Sequence, residues 1–452
     1  MTPASIIYWT RRDDEQILPP LPAALMAMHR PSATVPIAPA TPVPAAADPP
    51  LPMARIRLAL FMAGFATFSL LYCVQPLLPE FARSFGVSAA ASSLPLSLAT
   101  GGLAIAIFCA GAVSENLGRR GLIFGSIALA AVLNGVAAFV PHWGALVAVR
   151  ALSGIALGGV PAVAMVYLAE ELPAHKLGAA TGLYVGGNAF GGMMGRIGMS
   201  FLTDHFDWRT AMAVLSAFDL AVAIGFVLLL PPSRHFVRKS GVNLRFHLQA
   251  WGGHLRHRYL PWLFSIPFLL MGTFVSVYNY AGFRLGGPEF GLSQSQIGLI
   301  FSAYVFGIVS SSIAGAASDR FGRGPVVLAG TVSAIAGVLL TLSHALPMVI
   351  GGVVLLTIGF FIAHSAASAW VGRLGGTHRS HAASLYLLAY YVGSSVVGSV
   401  SGWFWQHGGW AMLVAFCLAL QAIALIAAQV LRRGADDSRP YGRFGPHPAR
   451  GE

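Results

Sequence analysis

Charge is what this chain has least of. Asp, Glu, Lys and Arg make up 10% of its 452 residues, against about 25% in an ordinary soluble domain, so a water-facing surface could not be coated. Only two of the bases are lysine, Lys176 and Lys239, and neither follows a glycine. The Gly-x-x-x-x-Gly-Lys-Ser/Thr loop that cradles nucleotide phosphates is therefore absent. His-Glu-x-x-His and Gly-x-Ser-x-Gly are missing too, which argues against an intramembrane hydrolase. The three cysteines (Cys73, Cys109, Cys417) fall inside apolar runs, where reduced packing residues rather than a disulfide are expected. No exposed basic domain is present for nucleic acid. No metal or cofactor is expected: His254 and His257 have neither cysteine nor acid nearby in sequence to complete a coordination set.

What is abundant is apolar length. The composition is 56% hydrophobic, mean hydropathy is +0.69, and the 52 glycines sit largely inside apolar runs, as in tightly packed membrane helices. A span needs about 20 apolar residues. Stretches without Asp, Glu, Lys or Arg, with turn signals at 343–347 and 406–409, place twelve spans at 57–79, 93–114, 121–140, 144–169, 178–203, 209–230, 260–283, 297–318, 325–343, 348–371, 382–404 and 410–431. Sorted by the side each loop would occupy, 23 of the 28 Lys and Arg fall on the side of the termini, and Arg83, Arg209 and Arg284 on the other. By the positive-inside rule both termini are cytoplasmic, and the formal charge of +12 is mostly topology.

The fold expected is all-α, with twelve transmembrane helices in two pseudo-symmetric six-helix bundles at 55–231 and 259–432. Residues 1–54, rich in Pro and Ala, are expected to be a disordered cytoplasmic tail; Met53 directly precedes the first span, and translation from it is expected to yield inserted, active protein. Residues 433–452 form the second cytoplasmic tail. The connector 232–258 is basic and carries four histidines. Its Phe246–Trp251 stretch suggests an amphipathic surface helix drawn to anionic lipid.

The two halves repeat. Phe85-Gly86-Val87-Ser88 recurs as Phe290-Gly291-Leu292-Ser293, and the stretch from Gly111 through Glu115, Gly118, Arg119 and Arg120 recurs from Gly315 through Asp319, Arg320, Gly322 and Arg323. Gly111 and Gly315 would let helices approach, and Gly118 and Gly322 would allow sharp turns. Two parallel six-helix halves joined by a long loop resemble the major facilitator superfamily. The second copy is similar to that family's Gly-x-x-x-Asp-Arg-x-Gly-Arg-Arg loop; the first has Glu115 and Asn116 for Asp and Arg. The resemblance implies a charge cluster that latches the halves on the cytoplasmic side; the other reading is arginines that only fix topology.

Further segments resemble bacterial inner-membrane transporters of the YnfM type, relatives of drug:proton antiporters. These include Tyr72–Glu80, Gly182–Arg196, Tyr278-Asn279-Tyr280, Ala363-His364-Ser365 and Tyr390-Tyr391. In span five, Gly178, Gly182 and Gly186 form one four-residue ridge, with Gly187, Gly191 and Gly195 beside it. The antiporter motif has Gly-Pro-x-x-Gly-Gly where this chain has Gly187-Asn188-Ala-Phe-Gly191-Gly192, so a proline kink is not expected. These glycines either bear on export or serve packing alone.

Charge in mid-membrane is costly and usually functional. Arg150 resembles the family's span-four arginine that assists proton coupling; it could equally be a buried ion-paired or carbonyl-bound arginine, as could Arg196. Asp219 is either a proton relay or locally bonded packing. His364 either titrates or is a core histidine satisfied by a neighbouring hydroxyl such as Ser365 or Ser368. Glu80 and Asp204 read as interfacial. Cavity-lining spans in the family fold make Tyr72, Gln75, Tyr278, Asn279, His364 and, from span eleven, Tyr390 substrate candidates, with packing as the alternative for each aromatic. The resulting expectation is a monomeric, proton-coupled exporter of small amphiphilic compounds in the bacterial inner membrane, partnered by lipid, a small-molecule substrate and protons. The alternatives are an uptake symporter or facilitator for a metabolite, and a non-transporting receptor or scaffold.

Overall fold

The computed structural model describes residues 52–113, 118–233 and 244–434, and within them every regular element is a helix. In chain order these are α1 (Met53–Tyr72), α2 (Leu78–Phe85), α3 (Ala89–Ser92), α4 (Leu94–Val113), α5 (Arg119–Phe139), α6 (Trp143–Leu157), α7 (Gly159–Glu171), α8 (Ala174–His205) and α9 (Trp208–Leu229). The connector contributes α10 (Leu244–Leu255). The second half has α11 (Leu260–Leu285), α12 (Gln294–Leu299), α13 (Tyr304–Phe321), α14 (Arg323–Leu340), α15 (Leu346–Leu374) and α16 (Arg379–Gly434). Among the described residues nine helical segments are long and apolar enough to cross a membrane. One of them, α16, is two spans broken at Gly408–Gly409, where Gly409 takes φ +60°. With α4, whose apolar stretch Leu94–Phe108 is shorter, and the less apolar, glycine-rich α8, the count is twelve spans in two six-helix bundles.

Three spans carry interruptions that the apolar pattern does not announce. The first leaves α-geometry after Tyr72 for a 3-10 turn at Gln75–Leu77 and resumes as α2, because Pro76 and Pro79 have no N–H to donate. The fourth breaks at Gly158, where α6 gives way to α7. The eighth is α12 and α13 joined by the 3-10 turn Ile300–Ala303.

The repeated Phe-Gly-x-Ser has a local physical cause. Gly86 and Gly291 adopt φ +63° and +62°, a left-handed conformation that favours glycine. Each is followed by a serine that caps the next helix: Ser88 Oγ accepts from Ala91 N at 3.1 Å, and Ser293 forms a capping box with Gln296. Of the other repeated pair, Gly322 needs its glycine at φ +83°, whereas Gly118 sits at φ −56° and does not.

Within the first bundle α1 packs on α8, α4 on α6, and α5 on α9; within the second, α11 packs on α16 and α14 on α15. Glycine brings backbones together at α1–α8, where a Cβ on Gly187 or Gly191 would collide with the carbonyls of Phe61 and Phe65, and one on Gly195 with Ser69. Gly393 makes the same approach to the carbonyl of Phe268 in α11. The other ridge differs: a Cβ on Gly178, Gly182 or Gly186 would meet nothing within 4 Å among the described residues, and the same holds for Gly315. Gly191→Ala is therefore expected to cost about 1–3 kcal/mol by overpacking, while Gly182→Ala should be neutral or stabilising by about 0.5–1 kcal/mol. Thermal unfolding of the two variants in detergent checks this; equal melting points would contradict it.

Candidate central site

The site is assembled around α8. Arg196, 1% exposed, donates from Nη1 to the carbonyl of Gly192 at 2.6 Å and from Nε to Gln75 Oε1 at 2.5 Å. Gln75 Nε2 in turn donates to Asn279 Oδ1 at 2.7 Å. Gln75 and Asn279 are 204 residues apart, the offset that separates Gly118 from Gly322. The bond joins the two halves at the break in the first span.

Aromatic rings enclose this relay. The Arg196 guanidinium lies 4.1 Å from the Tyr72 ring centroid, 4.9 Å from that of Tyr304 and 5.3 Å from that of Phe301, positions that favour cation–π attraction. Tyr278 stacks on Phe301 and bonds Thr357 Oγ1 at 2.8 Å. A small cavity abuts Gln75, Tyr278, Ile300 and Phe301. Further along the second half, Phe274 stacks on Phe360, which stacks on His364. His364 lies between Tyr386 and Tyr390, its Nδ1 3.0 Å from Tyr386 Oη. Its hydroxyl partner is this tyrosine rather than either of the serines beside it in sequence; Ser365 Oγ bonds the carbonyl of Ser311. The substrate candidates Tyr72, Gln75, Tyr278 and Asn279 thus meet in one place with Arg196, and His364 and Tyr390 form an adjoining cluster. Phe301 and Tyr304 are additions: they lay in an apolar run, and the tyrosine hydroxyl within it was the one available signal.

Arg150 and Asp219 belong to a separate interior of the first bundle. Arg150, fully buried, donates to the carbonyls of Leu70 and Leu71 at 3.0 and 2.7 Å and to Asn134 Oδ1 at 2.8 Å. It stitches the end of α1 at its break. Asn134 continues to Ser216 Oγ at 2.9 Å. Asp219, also fully buried, accepts from Ser69 Oγ at 2.9 Å, and its other oxygen has no partner among the described residues. Ser69 is one turn before Tyr72 on α1, so this carboxyl approaches the central site through one hydroxyl. Asn188 lies over Gly64 of α1 and takes no part in the relay.

At the ends the two halves behave differently. Where α8 finishes, Asp204 accepts from Ser293 Oγ and from the N–H groups of Gln294 and Ser295, all at 3.1 Å. It therefore clasps the start of α12. Gln294 Nε2 also reaches the carbonyl of Pro76 at 2.6 Å, and Ser200 lies directly against Gly298. Gly182 is on the same face of α8 as Ser200, about five turns away, yet stands clear of any described neighbour. The halves touch at one end of α8 and diverge at the other.

That open end carries the repeated loop motifs. Arg119 pairs with Glu170 at 2.8 Å, Arg120 bonds the carbonyl of Val227, and Arg323 is buried at the start of α14. Asp319 and Arg320 are exposed, with Arg320 over the Phe321 ring. Gly111 is in the last turn of α4; Glu115 lies outside the described residues. Here α10 bridges the halves: Trp251 stacks on Phe108 of α4, centroids 4.0 Å apart, and donates to Ser384 of α16 at 3.2 Å. His247 and His381 share a 2.9 Å contact, and His254 Nε2 bonds the carbonyl of His378 at 3.1 Å. Burial pushes the His254 and His257 imidazoles below the ordinary histidine range. Docked α10 thus binds protons less readily than free α10, so docking should weaken as pH falls through the ordinary value of about 6.5. Trp251 emission should shift red on acidification in wild type and less in His254→Gln; a pH-invariant spectrum in wild type would contradict this.

The family model of the Major Facilitator Superfamily matches residues 60–288 and 287–449. The chain belongs to this superfamily. It is 42% identical over 383 residues to the inner membrane transport protein YnfM of Escherichia coli, covering 84% of this chain and 91% of that one. It is 40% identical over 379 residues to the MFS-type transporter YybF of Bacillus subtilis, covering 84% and 94%. Among solved structures, a bacterial homologue of the human lysosomal transporter Spinster superposes with a TM-score of 0.67 at 14% identity, covering 85% of this chain and 99% of that one. The superfamily makes this chain a multi-pass membrane transporter of a small molecule.

Proposed function

We propose that this transporter is a proton-coupled exporter of small amphiphilic compounds, working by alternating access in a bacterial inner membrane with both termini in the cytoplasm. The observation that carries the reading is the α8 face that meets the second half at Ser200 and Asp204 and stands clear of it at Gly182, with an aromatic, polar centre in between. The positive-inside count puts the open end on the cytoplasmic side, and the name of the YnfM relative favours the inner membrane. The aromatic wall suits an amphiphile better than a polyol, since rings bury apolar area. Asp219 is the proton carrier in this reading: a membrane-embedded carboxyl with one hydroxyl partner can lose and regain a proton without breaking an ion pair.

The test is proton movement in dye-loaded proteoliposomes given 2-naphthoate, ethidium or D-xylose, compared with protein-free liposomes. An inward gradient of an exported amphiphile should drive protons out of the lumen. Protons entering with the compound would make the chain a symporter, and a response to D-xylose alone would overturn the amphiphile reading.

The Asp319 carboxylate is exposed and makes no ion pair among the described residues, as a latch would be when the cytoplasmic end is open. Asp319→Asn should slow cycling while leaving the melting temperature near wild type, because the charge is used in one state only. Wild-type cycling by purified Asp319→Asn would remove it from the latch.

A further inference from the structure

We infer that the central site takes a small organic anion with an aromatic body, the carboxylate or equivalent group bound at the Arg196–Gln75–Asn279 relay. This rests on the transporter reading for its setting and sharpens the substrate class.

The first observation is charge. Arg196 is 1% exposed, and no carboxylate lies within ion-pairing distance of it among the described residues. A buried charge without a counter-charge is costly. The rings of Tyr72, Tyr304 and Phe301 offset part of that cost, but a quadrupole does not neutralise a cation. Two of these rings belong to the second half, so part of the compensation comes from across the seam that alternating access must open. The site has a standing place for a negative charge.

The second observation is the direction of the amide relay, and it is independent of the net charge. A guanidinium has only donors, so Gln75 must turn its oxygen to Arg196 Nε. That leaves Gln75 Nε2 to donate, which requires Asn279 to turn its oxygen inward. Asn279 Nδ2 is then left over as a donor, and it is buried without a partner. Tyr72 Oη, on the ring that covers Arg196, is buried beside Ser394 Oγ of α16. The amide relay therefore presents a donor at each end, the Arg196 guanidinium and Asn279 Nδ2, beside hydroxyls that can donate or accept. A ligand rich in acceptors completes it, and a cation or a hydrogen-bond donor does not. The surrounding rings of Tyr278, Phe301 and Tyr304 fit an aromatic body attached to that anion.

The test compares three probes of one shape, 2-naphthoate, 2-naphthamide and 2-naphthylmethylammonium, binding to the full chain in nanodiscs without any gradient. Binding is read by tryptophan quenching and confirmed by calorimetry. Wild type should bind naphthoate at least about tenfold more tightly than the amide and the ammonium least. Arg196→Lys should retain part of the preference and Arg196→Gln should lose it. Should Arg196→Gln fail to fold, Asn279→Asp puts an acid at the other end of the relay and should reverse the order of anion and cation. Equal binding of naphthoate and the amide by wild type, tightest binding of the ammonium, or binding of none of the three overturns the inference. Because no gradient is used, that outcome leaves the proton-coupling test in liposomes to be decided separately.

Discussion

Arg150→Ala should yield little folded protein, and what is recovered should melt well below wild type. Three donated hydrogen bonds would vanish at once, two of them to backbone carbonyls at the break in the first span. Each carbonyl left buried without a donor costs about 1–3 kcal/mol, and Asn134 would lose its place between Cys73, Ser216 and the guanidinium. Relief of the buried charge returns part of this, so the net loss is on the order of 2–4 kcal/mol. Arg150→Lys keeps the charge but offers one point of donation in place of a fork, and should recover part of the stability. Size-exclusion profiles and melting curves of both variants check this. A stable, well-folded Arg150→Ala would mean that the carbonyls find other donors.

Asp219→Asn is expected to separate folding from coupling. Asn can still accept the Ser69 hydroxyl bond, and the loss of a buried ionisable group costs little. The variant should therefore stay folded and keep its ligand binding, while substrate-driven proton movement falls to the level of protein-free liposomes. Proton movement at the wild-type rate would reduce Asp219 to packing and move the coupling role elsewhere.

The twelve spans were legible because the bilayer imposes a length and a scarcity of charge that any twelve-span chain must display. The sharp turns were legible where glycine and a capping serine recur at a fixed offset, as at Gly86-Val87-Ser88 and Gly291-Leu292-Ser293. Tyr72, Gln75, Tyr278 and Asn279 could be chosen because polar and aromatic groups stand out in apolar helices. Their meeting could not be foreseen in detail: it depends on the break after Tyr72, beyond which Gln75 reaches Asn279. Phe301 and Tyr304 were hidden for the opposite reason, since an aromatic in an apolar run gives no sign of which neighbour it will touch. The glycine ridges of α8 illustrate the limit most clearly. Both have the same spacing, yet one is packed on α1 and the other faces open space, a difference set by where the neighbouring helices run.

The central claim is that the end of α8 bearing Gly182 opens and closes against the second half in step with protonation. Gly315 is about three turns beyond Tyr304 on one face of α13, and Tyr304 touches Arg196 of α8, so positions 182 and 315 flank the seam at its open end. Spin labels at these two positions, in nanodiscs, measure that opening directly by pulsed electron resonance. Two distance populations are expected, with a ratio that changes with pH in wild type and stays fixed in Asp219→Asn. A single population, or a ratio that ignores pH in wild type, would contradict the account.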